Sequence, residues 1–489
     1  MAPSTREPTV RRPAVAGTFM QASPELLAQE VDQYLQSDAA LDLASPCPKV
    51  LIAPHAGHVY SGRTAGRAYA LVRAFGQHGS GRIRRVVLLG PAHRVYVKGI
   101  ALPGVDAYAT PLGLLPVDTL GALAVADLPF VVTRPDVHGP EHSLEVQVPF
   151  LQRALGQVQL LPLVVGDVSA AQVAQVIERL WGGDDVLLVV STDLSHFHAY
   201  DEANAIDQAS CEQVLALNGS LTHEQACGAT PLNGLLSVAR NRGLRIAQLE
   251  QCNSGDTGAN TPEGRARVVG YASFALYESA PGTGGDGAEL SAEQGARLVA
   301  LARHALQGAV TAGAMGAPQV PMSTPSLMAA GLDVALQAKG ASFVTLTQDG
   351  QLRGCIGSLQ AYRPLVQDVQ ANACAAALQD PRFPPVSANE APGLRVEVSV
   401  LTVAQPLSFA TQAHALWQLQ PGVHGVIFEC VHQGRSYRST FLPQVWEQLP
   451  NVVTFMAHLK AKAGLAQDFW SSEIRLSVYR VQKFKEAER

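Results

Sequence analysis

At 489 residues, the chain is too long for a single hydrophobic core, and its length predicts about two to four domains. Its 47% hydrophobic and 16% charged residues are typical of globular proteins, and a net charge of −5 without a long basic run argues against non-specific nucleic-acid binding. No apolar segment approaches the roughly 20 residues that a bilayer-spanning helix needs, which predicts no membrane association.

The cysteines and the N-terminus indicate the cellular compartment. The chain has seven cysteines, without paired spacing or a CxxC motif, so no disulfide framework is expected. The arginines of MAPSTREPTVRRP are not followed by an apolar core, as they would be in a signal peptide. Both features predict a cytoplasmic protein with free thiols.

Three apolar runs in the first half of the chain end in histidine. Their sequences are KVLIAPHAGH, RVVLLGPAHR and DVLLVVSTDLSHFH. Continuous apolar runs are typical of strands covered on both faces, as in parallel α/β sheets, where ligands gather at the carboxyl ends of the strands. We therefore expect His55, His93 and His196 to contribute to one site.

The first unit, residues 8–277, alternates strand-like and helical patterns, which predicts an α/β fold with three layers. Strands are expected at 50–53, 86–89, 160–165, 186–190 and 268–276. Helices are expected at 61–75, 143–155, 170–180 and 201–217.

Residues 278–290 are rich in Gly, Pro and Ala, which predicts a flexible linker. A capping box at Ser291 and Gln294 then indicates the start of a helix in a second unit, residues 291–486. SFVTLTQDGQLRGCIGS predicts a hairpin around Asp349 and Gly350. With LRVEVSVL as an alternating strand and helices near 291–310 and 363–379, an α+β domain with an antiparallel sheet is expected.

The strand-end histidines predict a metal site, because imidazole is the commonest protein ligand for metals. A single histidine is more often a hydrogen-bonded polar residue than a ligand. Three histidines at neighbouring strand ends favour a ligand or acid–base role.

Seven motifs of the first unit occur together and in order. They are RRPAVAGTF, APHAGHVYSG, GPAHR, TPLG, EHSLEVQVPFLQ, STDLSHF and ACGATPL. They resemble the Memo family, protein B of the bacterial AmmeMemoRadiSam system. The resemblance implies a fold like that of LigB-type extradiol dioxygenases, which bind ferrous iron through two histidines and a glutamate.

The resemblance also implies a metal-ligand set of two histidines and a cysteine. By motif these are His55, His93 and Cys227, although the residues alone do not distinguish Cys227 from Cys252. A thiolate favours softer metals. Those softer metals are copper and zinc, and iron stays open as well. The expected cofactor is a divalent or redox metal ion, with iron or copper favoured and zinc as the alternative.

His142, Asp193 and His196 match other motif positions of the family and are expected to transfer protons near the metal. Asp193 is expected to orient an imidazole, or alternatively to cap a helix. His58 replaces the tyrosine usual in the family, which predicts a changed pocket wall or an added ligand.

The second unit resembles the AMMECR family, protein A of the same system. The motifs that carry the resemblance are LRGCIGSL, DPRFPPV, VEVSVLT, GVHGVIFE and FLPQVW. Cys355 is interpreted either as a thiol activated by Arg353 and His424 or as a small buried side chain. Asp380 and Arg382 are expected to form an ion pair or to bind an anion.

These patterns favour a metal-dependent, oxygenase-like enzyme of the AmmeMemoRadiSam system with an unknown small-molecule, peptide or RNA substrate. The family name implies a radical S-adenosylmethionine protein as partner, since this chain has no CxxxCxxC motif of its own. A metal-binding adaptor without turnover and a zinc-type hydrolase are the alternatives.

Overall fold

The computed structural model describes residues 7–36, 46–258, 261–278, 290–314 and 334–486. The chain divides into two compact units, of which the first comprises residues up to Ala280 together with Phe409–Gln418. The predicted linker lies outside the described residues except at its two ends, Glu278 and Leu290. The domain boundaries drawn from sequence therefore stay a prediction.

The first unit has a central sheet with helices on both sides. The strands of the whole unit are β1 (Val10–Arg11), β2 (Val50–Ala53), β3 (Arg85–Pro91), β4 (Ile100–Leu102), β5 (Ala107–Thr110), β6 (Gly113–Pro116), β7 (Val131–Thr133), β8 (Gln159–Val165), β9 (Val186–Ser191), β10 (His196–His198), β11 (Arg245–Asn253) and β12 (Val268–Tyr277). Its helices are α1 (Pro24–Tyr34), α2 (His58–Ala70), α3 (Thr119–Val125), α4 (Pro135–His138), α5 (Val148–Leu155), α6 (Ala170–Arg179), α7 (Tyr200–Leu215), α8 (Ala229–Asn241), α9 (Ser254–Thr257) and α10 (Pro262–Ala266). All five predicted strands and all four predicted helices are present, with shifted ends.

The strand order of the main sheet brings β2, β9, β3 and β8 together at its centre. The full order is β10-β12-β2-β9-β3-β8-β4-β7, with β11 also paired to β12. The four central strands run parallel, as expected. The strand predicted at 268–276 is β12, and it pairs antiparallel with β2. An apolar run reports burial on both faces and carries no information about strand direction.

Alternate residues of the central strands point into two separate cores. Val50 and Ile52 of β2 pack in one core with buried residues of α6, α7 and α8. Leu51 and Ala53 pack in the other core with α1, α2 and α5. The sheet is thus covered on both faces, which confirms the α/β class of this unit. None of the helices in the described ranges is long and apolar enough to cross a membrane.

The second unit contains two antiparallel sheets. Its strands are β13 (Lys339–Gln348), β14 (Gln351–Gly357), β15 (Arg363–Pro364), β16 (Arg395–Leu401), β17 (Gln405–Pro406), β18 (Gly425–His432), β19 (Arg435–Phe441), β20 (Ile474–Tyr479) and β21 (Val481–Lys485). The helices that follow α10 in the chain are α11 (Ala292–Ala314), α12 (Val334–Gln337), α13 (Leu365–Leu378), α14 (Gln412–Trp417), which is counted with the first unit, and α15 (Val452–Lys462). One sheet has the order β14-β13-β16-β21 and the other β17-β20-β18-β19, so the antiparallel prediction is confirmed.

Two local predictions in this unit are confirmed. The hairpin between β13 and β14 turns at Asp349 and Gly350, whose φ angles are 50° and 78°. This left-handed pair is the conformation that an Asp-Gly turn favours. At the start of α11, Gln294 N donates to Ser291 Oγ and Ser291 N donates to Gln294 Oε1, at 3.2 and 2.6 Å. These two bonds form the predicted capping box.

Two glycines of α11 are expected to respond oppositely to alanine. A Cβ at Gly308 would meet nothing within 4 Å, so Gly308→Ala should raise the free energy of unfolding by about 0.5–1 kcal/mol. A Cβ at Gly295 would lie 1.9 Å from the Phe484 ring, so Gly295→Ala should lower it by about 1–3 kcal/mol. Urea unfolding of both variants checks this, and effects of the same sign would contradict the described packing.

Candidate metal centre

The site lies where β2, β9 and β3 end side by side. Because these strands are parallel neighbours, their carboxyl ends meet at one edge of the sheet. His55 follows β2, His93 follows β3, and Asp193 follows β9. The strand pattern in the sequence thus correctly predicts that these side chains share one edge.

Three histidines converge at this edge. Ligand-capable atoms of His55, His93 and His142 all lie within 4.8 Å of one another, and we call these residues the histidine trio. Their ring centroids are 5.1 Å apart for His55 and His93, 4.7 Å for His93 and His142, and 5.7 Å for His55 and His142. His142 comes from the loop before the 3-10 helix Glu145–Gln147, where no strand pattern points to it.

Glu141 orients His93 through two hydrogen-bonding contacts. Its Oε2 accepts a hydrogen bond from His93 N at 2.6 Å, and its Oε1 lies 3.0 Å from His93 Nδ1. Burial raises the pKa of Glu141, but hydrogen bonds from His93 and from Ser143 N outweigh it and hold this pKa below its usual value. An ionised Glu141 accepts a hydrogen bond from Nδ1–H of His93, and in the neutral ring this leaves Nε2 with a lone pair for a metal.

Ser191 fixes the tautomer of His55. The Ser191 hydroxyl donates its one proton to Ser143 O at 2.7 Å and accepts from Gln147 Nε2 at 2.8 Å. His55 Nδ1, 2.9 Å from the same oxygen, must therefore donate to it. His55 Nε2 is then the unprotonated atom, and burial lowers the pKa of His55 well below its usual value, so the ring is neutral.

The histidine trio fits a divalent metal ion. Burial lowers the pKa of His142 to about 4, so this ring is neutral as well. Its Nδ1 lies 3.3 Å from Glu141 Oε1 yet forms no hydrogen bond with a described residue. Neutral imidazoles suit zinc, copper, iron and nickel, and a carboxylate behind a ligating histidine is a common feature of such sites.

Cys227, the cysteine implied by the family resemblance, lies beside the trio. Its Sγ is 3.3 Å from His55 Nε2, and Asp193 N donates to the same sulfur at 3.3 Å. Burial and the charge of Asp193 raise the pKa of Cys227 to about 12, so the thiol is protonated without a metal. Cys252 instead pairs with Thr64 Oγ1 at 3.1 Å. Of these two cysteines, Cys227 is the one in contact with the site.

Asp193 and His196 also face the site, with contacts that differ from expectation. Asp193 Oδ1 accepts from the backbone N–H of His55 at 2.6 Å, whereas His196 Nδ1 bonds to Leu194 O at 2.9 Å. Asp193 therefore orients the backbone that carries His55 and no imidazole. The helix-cap alternative is wrong, because strand β10 follows. Burial raises the pKa of Asp193 to about 7.

His58 has a structural role. Its Nε2 lies 3.0 Å from Val146 O and its Nδ1 3.4 Å from Glu30. With both ring nitrogens engaged and the residue 2% exposed, it neither lines the pocket nor adds a ligand, so that prediction is wrong.

A cavity of about 520 Å³ opens in front of the histidine trio. Asp193 and His196 line it together with the trio. The rest of its wall is largely aromatic or small and includes one arginine: Phe19, Ala56, Gly57, Tyr60, Ser254, Gly258, Gly264, Arg267, Val269 and Tyr271. A metal in the trio would therefore have room beside it for a small substrate.

In the second unit, Cys355 lies in β14 and its surroundings are structural. Thr345 Oγ1 donates to its sulfur at 3.3 Å, and its backbone N–H donates to Asp380 at 2.8 Å. Asp380 also pairs with Arg382 at 2.7 Å, so the ion-pair alternative is the one formed. His424, the proposed base, precedes β18 of the other sheet and accepts from Gln420 N at 3.2 Å. The catalytic role of Cys355 stays a prediction.

Sequence reasoning assigned no role to Glu141, Ser191 or Gln147. Glu141 directly precedes His142 in EHSLEVQ, and that adjacency was the available signal. We expect Glu141→Gln to weaken metal binding by about 10- to 100-fold. The neutral amide lacks the negative charge that the carboxylate presents to His93 Nδ1–H. Titration with a chromophoric chelator measures this, with the exposed Glu178→Gln as control. Equal affinity in both variants would contradict the supporting role of Glu141.

Comparisons with known proteins identify the family of each part of the chain. The family described as Memo-like protein matches residues 11–275, and the family AMMECR1 matches residues 299–484. A MEMO1 family protein of Archaeoglobus fulgidus is 32% identical over 278 residues, covering 54% of this chain and 98% of the relative. One from Aquifex aeolicus is 34% identical over 263 residues, covering 51% and 93%. A crystal structure of an uncharacterized Pyrococcus horikoshii protein is similar at 30% identity and a TM-score of 0.35, covering 40% of this chain and 93% of that one.

Fold and site together define an α/β protein that gathers histidines at the carboxyl edge of a mixed sheet, where a metal ion fits. This chain belongs to the Memo-like protein family and carries an AMMECR1 domain fused behind its Memo domain.

Proposed function

We propose that this protein is a metal-dependent enzyme that binds its metal through the histidine trio and its substrate in the adjoining cavity. The observation that carries the proposal is that Nδ1 of His55 and Nδ1 of His93 each lie within hydrogen-bonding distance of an acceptor, Ser191 Oγ and Glu141 Oε1. Glu141 and Ser191 direct both Nδ1 protons away from the centre, which leaves the two Nε2 atoms as ligands. A purely structural histidine cluster has no need of this arrangement.

The favoured chemistry is redox or oxygenase-like, with iron or copper as the metal. Such an ion supplies open coordination positions for substrate and oxygen when three protein groups hold it. Asp193 and His196 line the same cavity and are the groups placed to move protons to and from a substrate. The likeness to LigB-type dioxygenases, a radical S-adenosylmethionine partner and a cytoplasmic location belong to this proposal, supported by the sequence motifs and cysteine usage.

The third ligand can be determined by cobalt substitution. With His55, His93 and His142 as ligands, cobalt-loaded protein should show no thiolate-to-cobalt charge-transfer band in the near ultraviolet, and Cys227→Ser should leave the spectrum unchanged. A charge-transfer band that disappears in Cys227→Ser would instead establish the family-implied set of His55, His93 and Cys227. If His142→Ala and Cys227→Ser both still bind cobalt as the wild type does, both ligand sets are contradicted.

A zinc-type hydrolase is the second candidate. The trio itself favours it, because three imidazoles with an open position form a known ligand set of catalytic zinc. The two functions differ in their need for oxygen or a reductant. Activity of zinc-loaded protein without oxygen would support the hydrolase and contradict the redox proposal.

A further inference from the structure

Arg267 lines the same cavity as the histidine trio. It directly precedes β12 and is the one lysine or arginine among the described residues of the cavity wall. The one carboxylate of that wall, Asp193, is engaged by the backbone N–H of His55 at 2.6 Å. The cavity wall therefore carries a permanent positive charge as well as a metal-binding group.

The Arg267 guanidinium has no anionic partner within the part of the chain that the structure describes. Other arginines of this unit do have one: Arg63 lies 3.2 Å from Glu250, and Arg153 lies 2.5 Å from Asp32. Arg267 is instead held by an aromatic ring, with its guanidinium carbon 4.8 Å from the centre of Phe197. Its donors stay available, while stacking limits the motion of the side chain.

Phe197, whose ring contacts this arginine, has a strained backbone conformation. Its φ angle is 65°, in the left-handed region that bulky side chains rarely adopt, and it is 61% exposed. An exposed phenylalanine gains little from packing, so folding alone does not account for the strained residue. Strain of this kind clusters at ligand-binding positions.

The rest of the wall fits a small molecule with an apolar body. Phe19, Tyr60, Val269 and Tyr271 contribute apolar surface to the same cavity. A guanidinium offers paired N–H donors that match the oxygens of a carboxylate or phosphate. With a divalent cation in the trio, that cation and Arg267 would both attract negative charge.

We infer that Arg267 selects the substrate by binding the carboxylate or phosphate oxyanion of a small molecule whose other end reaches the histidine trio. The contact between the ligand and the histidine trio rests on the proposed function, whereas the anion-binding role of Arg267 does not. Arg267 is thus a specificity-determining residue, and the substrate class is a small organic anion with an aromatic or aliphatic body.

The test uses phenyl phosphate and benzoate as probes, with neutral benzyl alcohol for comparison, in calorimetric titrations of the full chain. Measurements on metal-free protein separate this inference from the metal site. We expect Arg267→Met to weaken binding of an anionic probe by about 10- to 100-fold and to leave benzyl alcohol binding unchanged. The matched control is Arg265→Met, since Arg265 stacks on Tyr200 at 4.0 Å and does not line the cavity.

Each outcome bears on one of the two proposals. Equal binding of the anions by wild type and Arg267→Met, or no binding of either anion at millimolar concentration, would overturn the inference and leave the metal proposal standing. Arg267-dependent anion binding in a protein that takes up no metal would support the inference and contradict the proposed function. Arg267→Lys should retain part of the affinity, because it keeps the charge and loses the paired donors.

Discussion

Arg11→Met is expected to lower the free energy of unfolding of the first unit by about 3–5 kcal/mol, because it removes one partner of a buried ion pair. Arg11 Nη1 lies 2.5 Å from Glu145 Oε2, and the two side chains are 3% and 1% exposed. Without the guanidinium, the Glu145 carboxylate keeps only the N–H groups of Ala14 and Val15, at 2.8 and 3.1 Å. A desolvated charge is then left partly uncompensated.

The effect should extend toward the site. Arg11 also donates to Glu141 O at 2.7 Å and to His138 O at 3.1 Å, so it ties the N-terminal segment to the loop that carries His142. Urea unfolding, monitored by hydrogen exchange in peptides from the first unit, measures the loss of unfolding free energy. The exposed neighbour Arg12 supplies the control, since Arg12→Met should change stability by less than about 0.5 kcal/mol. A loss below about 1 kcal/mol for Arg11→Met would contradict a buried pair.

His93→Ala is expected to reduce metal affinity by at least about 100-fold, more than the loss of an outer group such as Glu141, because it removes a ligand itself. His93 suits the test because its side chain is 27% exposed, so truncation leaves only a small cavity behind. Competition with a chromophoric chelator, using zinc and cobalt in turn, measures the affinity.

His196→Ala is the matched control. His196 lines the same cavity, but its Nδ1 bonds to Leu194 O and it is not part of the trio. Its removal should leave metal affinity unchanged. Equal losses in His93→Ala and His196→Ala would mean that the metal lies elsewhere in the cavity, and no loss in either would contradict the site.

The sequence predicted that the site lies at one edge of the sheet. It did not predict the full set of residues that form the site. β2, β3 and β9 are buried on both faces, so their apolar runs and the histidines behind them are visible without a structure. His142 was predicted as a proton-transfer group on family motifs alone. It comes from a loop, where no periodicity indicates which way a side chain points, and its place beside His55 and His93 emerged only from the fold.

The supporting contacts could not be predicted because they join residues far apart in the chain. Ser191 meets His55 across 136 positions, and Glu141 meets His93 across 48. The sequence likewise carries no signal for the antiparallel direction of β12, since burial and not direction sets its composition. By contrast, the Asp349–Gly350 turn depends only on local φ angles, and it was predicted correctly.

The most direct test of the account is the metal content, by mass spectrometry, of protein purified without oxygen and without added metal. We expect stoichiometric iron or copper in the wild type and none in His93→Ala. Stoichiometric zinc would support the histidine trio but shift the chemistry to hydrolysis. A wild-type protein that neither contains a metal nor binds one on reconstitution would contradict the central claim and leave the trio as an acid–base or structural cluster.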